Sequence, residues 1–248
     1  MFRTSQFFEH VGDVRRDRRR GDVARGGGGP PRRRGGADPA PVARPGIHAD
    51  AGAPRPMRPS PLLVLTDRSQ CASPLVDVVA AVVDAGARAV VLREKDLPET
   101  QRARLAEHLR AILEPVGGLL ILAGPRGDAV HLAASDAFPT RRPWLVGRSC
   151  HCADEVADAG AEGCDYVTLS PVFATTSKPG YGPALGLGGL AALTTGAAPP
   201  AYALGGVHPP DVADCLAAGA SGIAVMGPVM QTPQLVAAYL AALQEVAS

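Results

Sequence analysis

The sequence predicts a (β/α)8 barrel over residues 59 to 248, preceded by an extension with no fold of its own. Three observations carry this prediction. Eight short, almost continuous apolar runs recur along the chain, as parallel strands covered on both faces require. Amphipathic helix patterns separate most of them. A unit in which a helix ends, a glycine turns the chain and a buried strand follows appears as "AGARAVVLRE", "AEGCDYVTLS" and "AGASGIAVMG", without the fixed period of a repeat array.

The strand candidates are "LLVLTD" (62–67), "AVVLRE" (89–94), "LLILAG" (119–124), "AVHLAA" (129–134), "WLVGRSC" (144–150), "YVTLSPVF" (166–173), "AYALGG" (201–206) and "GIAVMG" (222–227). Helix patterns between them include "SPLVDVVAAVVDAGA", "LPETQRARLAEHLRAIL", "ADEVADAGAEG" and "PPDVADCLAAGA". Gly86, Gly163 and Gly219 fall where helix C-termini take a left-handed residue. One connection is irregular: "GPRGD" (124–128) leaves no room for a helix between the third and fourth strands. A doubly wound open sheet is the alternative, but no glycine-rich dinucleotide fingerprint follows the first strand.

Residues 1 to 58 stand apart in composition. Before Met57 twelve arginines face six acids, a net +6, so the overall +1 leaves −5 for the remainder. A stretch such as "RGGGGPPRRRGG" cannot bury enough apolar surface to offset its ordering entropy. The segment reads as a disordered extension or, because Met57 opens "MRPSPLLVLTD" like a natural beginning, as the product of a translation start placed too far upstream. Arginines attract phosphate without a fold, yet such runs are more often solvated tails, so nucleic acid is not the expected partner. No apolar run nears the roughly 18 residues a bilayer requires, and no hydrophobic signal core opens the chain. Five scattered cysteines do not form a disulfide framework. A cytoplasmic location is expected.

In such a barrel the chemistry sits where strands end and βα loops begin. Those ends supply Asp67, Arg93 and Lys95, Asp136, Ser149 and His151, then Thr175, Ser177 and Lys178. Strand alternation puts Arg93 and Lys95 on one face with Glu94 pointing outward. Two cations there suit an anionic, phosphorylated ligand, although four charges also describe a solvated loop. "ALGGVHPPDV" and "AVMGPV" place Gly205, Gly206 and Gly227 after strands seven and eight, where backbone N–H groups and a helix start meet phosphate in these barrels. "SPVFATTSKPGYGP" reads as a clamp for a polar anion or as an ordinary surface loop. His151, in "GRSCHCADE", is placed for general acid–base work or for the surface of a helix start. Cys150 and Cys152 flank it on the opposite face and have no second pair, which argues against zinc.

Taken in order, "LREKD", "GRSCH", "DYVTLSPVFATTSKPG", "ALGGVHPPDV" and "AGASGIAVMG" resemble the thiamin phosphate synthase/TenI family over roughly residues 61 to 245. The resemblance implies a (β/α)8 barrel, a small-molecule thiazole phosphate as ligand, and two candidate activities. A synthase joins the thiazole to a pyrimidine diphosphate, releasing pyrophosphate with Mg2+. A TenI-like tautomerase aromatises a thiazole carboxylate phosphate by proton transfer and needs no cofactor. By resemblance, Gly205, Gly206, Met226 and Gly227 would take the thiazole phosphate beside Thr175 and Ser177. Arg93, Lys95, Ser149 and Lys178 match positions that hold the diphosphate in a synthase.

Two departures tilt the expectation. Val91 stands where synthases carry glutamine, and Ala123–Gly124 stands where they carry an Asn-Asp pair whose carboxylate binds metal. Asp136 matches the second metal ligand alone. The sequence therefore favours the tautomerase, an isomerase with His151 as proton shuttle. The Mg2+-dependent synthase, a transferase, is the first alternative, and a non-catalytic thiazole phosphate-binding protein the second. Homo-oligomers are compatible with either enzyme.

Overall fold

The computed structural model describes residues 58–175, 183–196 and 199–247. The chain divides into two units, residues 1–50 and 51–248, and the first lies outside the described residues, as does the expectation of a disordered extension. In the second unit, eight parallel strands close into a barrel in sequence order. They are β1 (Leu62–Leu65), β2 (Ala89–Leu92), β3 (Leu119–Ala123), β4 (Ala129–Leu132), β5 (Leu145–Cys150), β6 (Tyr166–Leu169), β7 (Ala201–Leu204) and β8 (Gly222–Val225). Closure is made by β8 against β1, with Leu62 opposite Ile223 and Val64 opposite Val225. Each predicted run holds one strand. Most stop two or more residues short, because the glycines and charges at their ends leave the ladder for the mouth loops.

Alternation divides every strand between two cores. Leu63, Leu65, Val91, Ile121, Leu145, Tyr166 and Tyr202 fill the barrel interior. Val64, Val90, Leu92, Val130, Val167 and Ile223 face the surrounding helices. The interior is fitted residue to residue. A Cβ at Gly147 would lie 2.1 Å from Cζ of Tyr166, so the missing side chain on β5 is what admits the ring from β6. The Tyr202 hydroxyl donates to the Pro59 carbonyl at 2.9 Å, closing the end of the barrel remote from the strand C-termini.

The helices are α1 (Leu75–Asp84), α2 (Glu99–Leu113), α3 (Ala153–Ala161), α4 (Gly186–Thr194), α5 (Val212–Ala217), α6 (Gly227–Gln231) and α7 (Leu235–Ala247). In α1 the buried Val78, Val79, Val82 and Val83 form one stripe at helical spacing. Gly86, Gly163 and Gly219 all adopt positive φ just beyond their helices, as expected. Parallel neighbours normally need a crossover of a dozen or more residues. Residues 124–128 carry the chain from β3 to β4 unaided, and Gly127 lies against Leu122 and Val130, where a helix would otherwise stand.

Candidate active site

Inward parity carried past the strand ends selects the side chains of the mouth. Val91 is inside, so Arg93 and Lys95 follow it; Leu145 is inside, so Ser149 and His151 follow. They line a cavity of about 730 Å³ at the C-terminal end of the barrel, together with Thr175, Gly205, Gly206, Met226 and Gly227. Ser177 and Lys178 lie outside the described residues. The backbone N–H of Arg93 donates to Thr66 Oγ1 at 3.0 Å, and its guanidinium has no hydrogen bond or ion pair among the described residues. Lys95 Nζ sits 3.3 Å from Asp136 Oδ2.

Glu94 corrects the expectation that it points to solvent. It does face away from Arg93, but it is buried, accepting from the Arg68 backbone N–H at 3.1 Å and the Arg68 guanidinium at 2.9 Å. Arg68 also grips Asp96 through two hydrogen bonds, so the loop that presents Lys95 is fastened on both sides. Asp67 is likewise removed from the cavity, accepting from Ser69 and Gln70 in its own turn.

The glycine end is a cradle of backbone. Gly205 and Gly206 adopt φ of 93° and 67°. A Cβ on Gly206 would meet the Ala174 carbonyl at 2.5 Å, and one on Gly205 would meet Pro171 Cα at 2.9 Å. The N–H groups of Gly206, Met226 and Gly227 find no protein acceptor among the described residues. The expected helix start after β7 does not contribute in the way anticipated. Pro209–Asp211 forms a 3-10 turn, and the His208 N–H is taken by the Asp211 carboxylate at 2.8 Å.

His151 Nδ1 lies 2.7 Å from the Ser170 carbonyl, which fixes Nδ1 as the protonated nitrogen and Nε2 as the basic one. Its backbone N–H donates to Glu155 at 2.5 Å. Cys150 is buried in the outer layer and Cys152 is exposed, so alternation does separate them from the imidazole.

Sequence reasoning missed His131. It stands on β4 with the inward parity of Ala129, lines the cavity, and meets Tyr166 and Ser149 at 3.0 Å each. A histidine at an inward position of "AVHLAA" was the available signal. Burial, with the charge of Lys95 adding to it, lowers its pKa from 6.5 to about 4. The unfolded chain therefore takes up this proton before the fold does. The stability contributed by neutral His131 is complete above about pH 6.5 and lost as pH falls toward about 4, about 3 kcal/mol in all. Urea unfolding of the parent and His131→Gln at pH 7 and pH 4.5 checks this. The parent should lose about 2–3 kcal/mol more than the variant.

Among the described residues the carboxylates do not make a magnesium site. Asp136 Oδ2 accepts from the Ala133 N–H at 2.8 Å and faces Lys95, and its side chain is not part of the cavity wall. The place of a second carboxylate is held by Ala123 and Gly124. Among the described residues no cluster of three or more His, Cys, Asp or Glu side chains is arranged to hold a metal. The role that the resemblance gave Asp136 is thus unsupported by the donor set. What holds its loop is Arg148, a buried side chain on β5 whose guanidinium donates to the carbonyls of Ala133, Ala134 and Asp136 and to Glu162.

The fold and the cavity together define a (β/α)8 protein whose mouth is lined by Arg93, Lys95 and the glycine backbone of Gly205, Gly206 and Gly227. The thiamine monophosphate synthase family model (TMP-TENI) matches residues 62–229, and the chain belongs to that family. A putative thiamine-phosphate synthase of Geobacter sulfurreducens is 35% identical over 188 residues, covering 69% of this chain and 87% of its own length. The thiamine-phosphate synthase of Methanoregula boonei is 36% identical over 166 residues, 62% of this chain and 77% of its own. The structure of a thiamine phosphate pyrophosphorylase from Pyrococcus furiosus superposes with a TM-score of 0.66 at 25% identity, covering 75% of this chain and 96% of that one. These names favour the synthase, the alternative in the sequence reading, over the tautomerase that the sequence placed first.

Proposed function

We propose that this chain is a thiamin-biosynthesis enzyme that binds a thiazole phosphate and couples it to a pyrimidine diphosphate. What supports this reading is a cavity lined by two sets of groups able to take an anion. Arg93 and Lys95 form one, and the backbone donors of Gly206, Met226 and Gly227 form the other. Two phosphorylated reactants need two such sets. The volume also falls in the range of small-molecule sites, about 300–1,000 Å³. In the coupling, a C–N bond forms as the C–O bond to diphosphate breaks, and negative charge gathers on the departing oxygens. Arg93, Lys95 and the Ser149 hydroxyl are positioned to stabilise that charge. Mg2+ would supply further neutralisation in a synthase, but the donors here do not fit it, so no step is assigned to it.

A second reading, the tautomerase, is favoured by one observation. His151 carries a defined basic nitrogen on the wall of the same cavity, as a proton shuttle requires. Purified protein assayed with each substrate set, with and without Mg2+, separates the two. Pyrophosphate release with formation of thiamin phosphate establishes coupling. Aromatisation without pyrophosphate release, abolished in His151→Ala, establishes the tautomerase and overturns the coupling. Tight thiazole phosphate binding without either turnover marks a binding protein. We place the enzyme in the cytoplasm, supported by five free cysteines; no helix among the described residues is long and apolar enough to cross a membrane. Intact mass of the natural protein decides whether residues 1–56 are translated.

A further inference from the structure

We propose that His131 and Tyr166 are positioning residues that aim the Ser149 hydroxyl at the ligand's diphosphate. The inference rests on reading the Arg93–Lys95 end of the cavity as the diphosphate site. Tyr166 is fully buried, and the partner of its hydroxyl is His131 Nδ1 at 3.0 Å. A buried O–H that donates to nothing costs about 1–3 kcal/mol, so the phenol O–H donates its hydrogen bond to Nδ1 and Nδ1 accepts. A neutral imidazole carries one proton, which then resides on Nε2. Nε2 faces Ser149 Oγ at 3.0 Å, with Thr168 Oγ1 farther away at 3.4 Å. Ser149 therefore accepts from the imidazole, and its own proton is left for the cavity that it lines.

The direction of that proton decides what the site prefers. A serine whose oxygen is already occupied is a dedicated donor, and a donor is what a phosphate oxygen needs. The opposite tautomer would draw the serine proton back to Nε2 and turn lone pairs toward the anion. The fold holds the line in place. The Tyr166 ring is stacked on His131 with centroids 5.5 Å apart, and Gly147 leaves the space that the ring occupies. Register supplies the rest: His131 pairs with Gly147, so Ser149 stands two residues farther along β5 on the same inward face.

Two measurements on the full chain test the proposal. Nitrogen-15 NMR of the histidine side chains should find His131 as the Nε2–H tautomer at neutral pH. Inorganic pyrophosphate binding should be measured by calorimetry for the parent, Ser149→Ala, His131→Leu and the double variant. Each single change should weaken binding about tenfold, and the double variant should bind no worse than either, because His131 acts through Ser149. His131→Gln, whose amide nitrogen reaches the place of Nε2, should stay within about threefold of the parent. An Nδ1–H tautomer, additive losses, a parent that does not bind pyrophosphate, or full affinity in Ser149→Ala would each overturn the proposal. The product assays judge the coupling reaction itself and do not depend on these outcomes. The tautomer remains decisive even if His131→Leu folds poorly.

Discussion

Replacing Arg93 with methionine is expected to lower kcat/KM by about 10²- to 10³-fold while leaving the melting temperature close to that of the parent. The two halves of this expectation have one cause. The guanidinium makes no hydrogen bond or ion pair among the described residues, so its removal breaks no contact that holds the fold. It is also a cation on the cavity wall with no close ion pair among the described residues, whereas Lys95 already faces Asp136. A fixed charge aimed at a site where negative charge develops contributes far more to the transition state than to the resting protein. Steady-state kinetics with both phosphorylated substrates, paired with thermal unfolding, reads the two halves separately. Retained activity would remove the cation end from the mechanism. A large fall in melting temperature would show instead that Arg93 is structural.

Gly206→Ala should damage both fold and binding. The residue sits at a φ of 67°, and the new methyl would meet the Ala174 carbonyl at 2.5 Å and Phe173 Cβ at 2.8 Å. The left-handed backbone costs about 1–2 kcal/mol for alanine, and forcing apart packed backbone adds about 1–3 kcal/mol, so a loss of about 3 kcal/mol is expected. Because the same methyl would push the loop after β7 away from the loop after β6, the N–H of Gly206 would be displaced from the phosphate that the proposed function puts there. Affinity for thiazole phosphate should fall at least about tenfold. Gly188→Ala is the control: beyond its own stretch of helix, no atom of the described residues lies within 4 Å of a Cβ there, so the variant should retain both properties. Equal stability and affinity in Gly206→Ala would contradict the cradle.

What could be read from the sequence follows from alternation. Once Val91 and Leu145 are inside the barrel, Arg93, Lys95, Ser149 and His151 follow by counting in twos. Counting fails where a contact depends on distant chain. Glu94 was assigned its direction correctly, but its burial depends on Arg68, twenty-six residues earlier, folding over it from a 3-10 turn. His131 gains its role from β5 and β6, because only their register brings Ser149 and Tyr166 to its two nitrogens. Helix α4 has little local support, because "GLGGLAALT" carries three glycines, which disfavour a helix. Packing of Leu190 into the outer core outweighs that preference. The hydroxyl and ammonium groups of Ser177 and Lys178 lie in a segment outside the described residues.

The pairing of Lys95 with Asp136 makes this corner of the cavity an exchanger. An incoming oxygen at Lys95 must replace or share a place that a carboxylate already holds. For chloride or acetate the substitution trades one single charge for another, with little gain after both are desolvated. On the proposed coupling, a diphosphate would bring several charges and reach Arg93 at the same time, so it would profit from the swap. On that reading, discrimination against the common monoanions would be set by the resting protein, before any substrate arrives.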